Sequence, residues 1–120
     1  MNTNKEKEDF NKHLQAIAKD INKGITITKD NKEGYEGEFE IGDTISGFDY
    51  LQDALDIEYI TTSDKQYKGA RVLISFGGPD IWINTQTEEI EGYWWGLNDK
   101  VPYFDDAMGI NESLEELFNC

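Results

Sequence analysis

A chain of 120 residues, 38% of them apolar, suffices for one domain, residues 1–120, with a single core and falls short of two. Its 25 acidic residues against 11 basic ones give a formal net charge of −14, which repels nucleic acid and anionic membranes and attracts basic surfaces. No run approaches the roughly 18 consecutive apolar residues of a membrane span, the first residues, MNTNKEKEDF, are polar where a secretory signal has an apolar core, and one cysteine, Cys120, allows neither an internal disulfide nor a cysteine-based zinc site.

In chain order, Thr3 and Glu6 have capping-box spacing, and Phe10, Leu14, Ile17 and Ile21 follow at helical intervals until Gly24, predicting an amphipathic helix over about residues 4–22. Ile25–Thr28 has strand character. The polar, glycine-rich KDNKEGYEGEFEIGD that follows reads as a loop or weak hairpin with Tyr35, Phe39 and Ile41 to hold it. Ser46 and Asp49 predict a second, short helix turning Phe48, Leu51 and Leu55 inward.

Four β-rich runs come next, at 57–62, 70–76, 81–85 and 89–95, separated by turn-forming segments in the pattern of an antiparallel meander. With loops at 77–80 and 85–88, Phe76 lies opposite Ile81, Ile74 opposite Ile83, and Ile83 opposite Ile90. Alternation then gathers Val72, Ile74, Phe76, Ile81, Ile83, Ile90 and Trp94 on a core face. The other face collects Arg71, Leu73, Ser75, Trp82, Asn84, Glu89, Glu91, Tyr93 and Trp95. After Pro102, residues 103–108 read as a helical turn closed by Gly109, and Asn111 as the cap of a last helix with Leu114, Leu117 and Phe118 on one side. The fold class is α+β: a meander of about four strands packed with N-terminal and C-terminal helices.

Catalytic and metal motifs fare poorly. Gly77-Gly78-Pro79-Asp80 lacks the lysine and following helix of a phosphate loop and reads as a tight turn. His13, the single histidine, has no nucleophile tied to it by sequence and reads as a solvent-edge residue. Asp30-Asn31-Lys32-Glu33-Gly34 lacks calcium-loop spacing. Carboxylates are so numerous that pairs at catalytic spacing arise by abundance alone. The expectation is a protein that is not an enzyme, without cofactor or metal.

The acidity has a location. Residues 33–64 hold ten acids and no base, and residues 72–120 ten acids against Lys100 alone, so the charge belongs to segments rich in structure-forming residues and not to a detachable tail. It is densest beside aromatics in GGPDIWINTQTEEIEGYWWG, residues 77–96, which holds three tryptophans, a tyrosine and four carboxylates and no base. Stacking aromatics without a basic groove disfavour direct nucleic-acid binding. Two readings of this face stand at this point. In one, a helix covers the aromatics; in the other the face is open, with Trp and Tyr as interface anchors and flanking acids that steer a basic partner.

Small size, strong acidity, lack of a catalytic set and a composition rich in lysine, asparagine and isoleucine resemble, across the whole chain, the counter-defence proteins of phages and mobile elements, the anti-CRISPR and anti-restriction inhibitors. GFDYLQDALDIEYI (47–60) and residues 77–96 also resemble stretches of small phage and plasmid proteins. The resemblance implies a non-enzymatic inhibitor, cytoplasmic in a bacterial host cell, that occupies a basic nucleic-acid groove of a CRISPR effector or restriction nuclease with carboxylates in place of phosphates. The partner-binding face expected from the residues comprises Glu88, Glu89, Glu91, Trp95, Asp105 and Asp106. An immunity protein for a basic toxin nuclease needs the same surface physics and is the alternative.

Overall fold

The computed structural model describes residues 4–35 and 37–120 and has an α+β arrangement of three helices and one five-stranded antiparallel sheet. Helix α1 spans Asn4–Lys23 and buries Phe10, Leu14, Ala18 and Ile21, the stripe its periodicity predicts. Thr3, half of the expected capping box, lies outside the described residues. No strand forms at residues 25–28. An isolated bridge, Thr26 to Thr44, and hydrogen bonds joining Ile25 and Ile27 to residues 42–45 make the weak hairpin, whose loop contains a 3₁₀ turn at Lys32–Gly34.

Helix α2, Gly47–Leu51, starts at a complete capping box: the Asp49 amide donates to Ser46 Oγ and the Ser46 amide to Asp49 Oδ2. Only Leu51 of its three expected inward residues is buried; Phe48 and Leu55 are exposed, because one helical turn cannot turn three side chains to the same side. Gly47 is required by close approach. A Cβ there would stand 2.6 Å from the Gly109 carbonyl oxygen and 2.5 Å from Ser113 Oγ, where α2 meets the last helix.

Strands β1 (Asp56–Thr61), β2 (Tyr67–Ser75), β3 (Asp80–Asn84), β4 (Glu89–Trp94) and β5 (Leu97–Pro102) lie side by side in chain order. The fifth strand was not expected from LNDKVP. It follows from a two-residue turn, Trp95-Gly96, with positive φ at both positions (48° and 81°), the backbone that matches strand twist in a tight hairpin. Ile83 faces Ile90 as expected. The β2–β3 register is not the expected one: Val72, not Ile74, faces Ile83, and beyond a bulge between Leu73 and Ser75 it is Ser75 that faces Ile81. Phe76 consequently leaves the sheet and is 72% exposed, not part of the core.

Helix α3, Ile110–Phe118, is preceded by residues 103–106 in irregular extension and a turn at Ala107-Met108 rather than by a helical turn. Its N-cap is Gly109, in a left-handed conformation, not Asn111, which is the second helical residue. With no side chain at the cap position, Asp106 takes over: its two carboxylate oxygens accept from the Ile110 and Asn111 amides, each at 2.8 Å. Leu114 is fully buried, Leu117 is exposed, and the Phe118 ring packs at a tilt against Tyr59 and Tyr67.

The core lies on one side of the sheet. Ala70, Val72, Ile81, Ile83, Ile90 and Val101 meet Phe10, Leu14 and Ile21 of α1, Ile110 and Leu114 of α3, and Ile27, Ile45 and Leu51 of the connecting segment. Gly92 lets α1 sit down: a Cβ there would come within 2.6 Å of Phe10 and 2.9 Å of Leu14. Half-buried Trp94 flanks this contact, 5.9 Å from Phe10 between ring centroids, and Asn11 Nδ2 donates to Asp99 at 2.8 Å. Among the described residues no helix is long and apolar enough to cross a membrane.

Candidate functional site

The buried apolar side chains of all three helices belong to the single core on the face of Val72, Ile83 and Ile90, so among the described residues no helix packs on the opposite face of the sheet. Strand pairing defines its rows. Asp56, Leu73, Trp82, Glu91 and Lys100 stand opposite one another across five strands, with Glu58, Arg71, Asn84, Glu89 and Pro102 in the next row. Alternation therefore places the expected Arg71, Leu73, Trp82, Asn84, Glu89, Glu91 and Tyr93 together. Ser75 drops out through the bulge and Trp95 through the turn.

Arg71 organises the centre. Its Nε donates to Glu91 Oε1 and its Nη1 to Glu58 Oε1, both at 3.0 Å, while its guanidinium carbon lies 4.2 Å from the ring centroid of Trp82. Lys100 Nζ approaches the second Glu91 oxygen at 3.7 Å. Burial works against the Arg71 charge, but the hydrogen bonds and charges of Glu91 and Glu58 outweigh it and raise its pKa. Glu91 is only 5% exposed. Its carboxylate, sandwiched between two cations, holds strands together and offers a partner no free charge. A cationic side chain of the sheet itself, not a helix, covers Trp82.

The six expected partner-binding residues separate along β4. Glu88, Glu89 and Asp105 share one end of the sheet: Glu88 is in the β3–β4 turn, Glu89 opens β4, and the Tyr103 amide donates to the Glu88 carbonyl, drawing residues 103–105 alongside. The Asn22 side-chain carbonyl accepts from the Phe104 and Asp105 amides and fixes that segment against the end of α1. Among the described residues, Glu88, Glu89 and Asp105 enter no ion pair. Asp106 is nearby in sequence but is occupied by the α3 cap. Trp95 is at the other end of β4, roughly 24 Å from Glu88 at 3.4 Å per residue.

Trp95 is 80% exposed at the tip of the β4–β5 turn, beside Phe76 and Tyr93, which line the same shallow depression with Asp80 and Asn98. Phe104, 76% exposed, marks the acidic end. Phe76 and Phe104, like Phe48 on α2, are surface aromatics that sequence patterning missed. The bulge that expels Phe76 has no sequence signature, whereas the acids around Phe104 in YFDD were a visible sign of exposure. Inside the acidic end, burial first and then the charges of Asp106 and Glu88 push the Tyr103 hydroxyl well above its ordinary pKa. His13 and Cys120 are exposed, and among the described residues no three histidine, cysteine or acidic side chains converge as a metal site. No protein-family model, curated protein or solved structure matches the chain.

Proposed function

We propose that this protein is a non-enzymatic acidic inhibitor that binds a basic nucleic-acid-binding surface of a CRISPR effector or restriction nuclease. The observation that carries the reading is the contrast between the two ends of β4: Glu88, Glu89 and Asp105, which enter no ion pair among the described residues, lie at one end with exposed Phe104, and exposed Trp95 and Phe76 lie at the other. Large exposed aromatics supply anchors, and a net charge of −14 supplies steering toward a basic surface and away from nucleic acid. A standard interface of roughly 800 Å² per partner is about 28 Å across, enough to reach from Glu88 to Trp95.

The contact is refined accordingly. Glu88, Glu89 and Asp105 provide charge, and Trp95 with Phe76 provides apolar contact. Glu91 and Asp106 support the fold beneath them. The test is a cleavage assay in which the protein is titrated into purified CRISPR effectors and restriction nucleases before DNA is added. Inhibition that saturates at a fixed stoichiometry, is relieved by excess DNA, and is lost in Glu88→Lys/Glu89→Lys/Asp105→Lys supports the proposal. Full cleavage at every ratio across the panel, or equal inhibition by the triple variant, overturns it.

A further inference from the structure

A second feature is independent of the sheet face. Between the loop at residues 30–35 and helix α2 is an open cleft of about 510 Å³ lined by Asp30, Asp49, Asp53, Tyr35, Tyr50 and Ile74 among others, with no basic residue in its wall among the described residues. It continues past Phe39 and Gln52. We infer that this cleft binds an organic cation, the alkylammonium or guanidinium head of a polyamine or of a lysine or arginine side chain.

Two aromatic rings and an isoleucine offer a surface for a methylene stem, and carboxylates offer the counter-charge for its head. Among the described residues Asp30 and Asp53 form no hydrogen bond or ion pair, so their charges are available. Asp49 accepts both of its contacts from Ser46 on a single oxygen, Oδ2, which leaves the other. The field in the cleft is negative beyond the lining residues. Burial raises the Tyr50 hydroxyl to about 12, with Asp20 and Tyr35 adding to it, and burial followed by Asp20 and Asp53 raises Tyr35.

Charge density discriminates among cations. A hard metal ion needs oxygens converging at roughly 2.1 to 2.6 Å, and among the described residues no such group of acids exists. Carboxylates spaced around an aromatic-lined cleft suit an organic cation, whose head pairs with them while its stem lies on the rings. An isolated acidic rim would attract any counterion equally; the tyrosines and Ile74 make this one selective for cations with an apolar stem.

The test uses the full ¹⁵N-labelled chain, titrated separately with spermidine, N-acetyl-lysine methylamide, N-acetyl-arginine methylamide and sodium chloride, each replacing potassium chloride so that ionic strength stays constant. The expected result is saturable amide shifts confined to Gly34, Tyr35, Tyr50 and Asp53 with at least one organic cation and absent with sodium. Binding should weaken roughly three- to fivefold in Asp53→Asn and in Tyr35→Leu. Saturation by spermidine alone identifies a free polyamine as the source, and saturation by an amino-acid amide identifies a protein side chain. Linear shifts spread over the acidic surface, or titrations indifferent to both variants, overturn the inference. Neither result bears on nuclease inhibition, which is read through Glu88, Glu89 and Asp105.

Discussion

The guanidinium of Arg71 lies over the indole of Trp82 at 4.2 Å while holding Glu91, the residue directly opposite that tryptophan on β4. One side chain thus shields an aromatic ring and neutralises a buried acid on a sheet face that no helix covers among the described residues. The arrangement ties β1, β2 and β4 together through side chains, in addition to the backbone ladder.

Arg71→Ala should therefore act through the residue it abandons. Glu91 would keep only Lys100, at 3.7 Å, in a site 5% exposed. A loss of about 2 kcal/mol is expected, between the cost of an unsatisfied polar group and that of a broken buried pair. Adding Glu91→Gln should recover about half of it, and Trp82 emission should move to the red in both variants. Urea denaturation with fluorescence detection measures both, with Glu91→Gln alone as the other single variant; additive losses in the double variant would show the pair to be uncoupled.

Asp106→Asn should weaken the start of α3 by about 1 kcal/mol, since two amides at 2.8 Å lose a charged acceptor and the cap position itself is glycine. Asp105→Asn, one residue earlier and exposed, should leave stability within about 0.5 kcal/mol. The contrast, read from thermal melts, separates the acid that builds the fold from the acid available to a partner.

Why the sequence showed some of this and concealed the rest follows from how local each signal is. The stripe Phe10, Leu14, Ile21 and the Ser46/Asp49 box are contained within a few residues, and both form. The facing of Ile83 and Ile90 follows from a short loop with alternating neighbours. The bulge at residues 73–75 depends on how β2 fits β3, and β5 is recruited by a turn although LNDKVP has little β propensity of its own. The grouping of Trp82 with Glu91 was legible from alternation; that Arg71 would resolve their conflict required the register across three strands. The cleft of Tyr35, Tyr50 and Asp53 joins segments with no common pattern.

Alkaline pH should destabilise the protein in a defined window. The Tyr50 hydroxyl is raised by burial, then by Asp20 and Tyr35, to about 12 from an ordinary value of 10.0. Below pH 10 it is protonated in both folded and unfolded chains. Above that the unfolded chain gives up its proton first, so the stabilisation falls as pH rises through about 12. Tyr35, Tyr67 and Tyr103 shift in the same direction. Urea midpoints should decline across this range, less steeply in Tyr50→Phe, and tyrosinate absorbance should rise with unfolding. A flat midpoint in the wild type would contradict the assignment.

Trp95 has the clearest conflict between local stability and exposure. It adopts a φ of 48° at the first central position of a two-residue hairpin turn, where asparagine, aspartate or glycine is favoured, and it is 80% exposed. A bulky residue in the left-handed region has a cost, and such strain is retained where the side chain serves a purpose at the surface. Trp95→Asn, with Gly96 kept, should raise stability by about 0.5 to 1 kcal/mol by giving the turn its preferred pair. The same variant should weaken inhibition of a sensitive nuclease by roughly tenfold or more, the loss of an aromatic anchor. Thermal melts and inhibition titrations on one preparation read the two effects together. A variant that gains stability and inhibits as well as the wild type would remove Trp95 from the contact and leave the acidic end of the sheet to carry it alone.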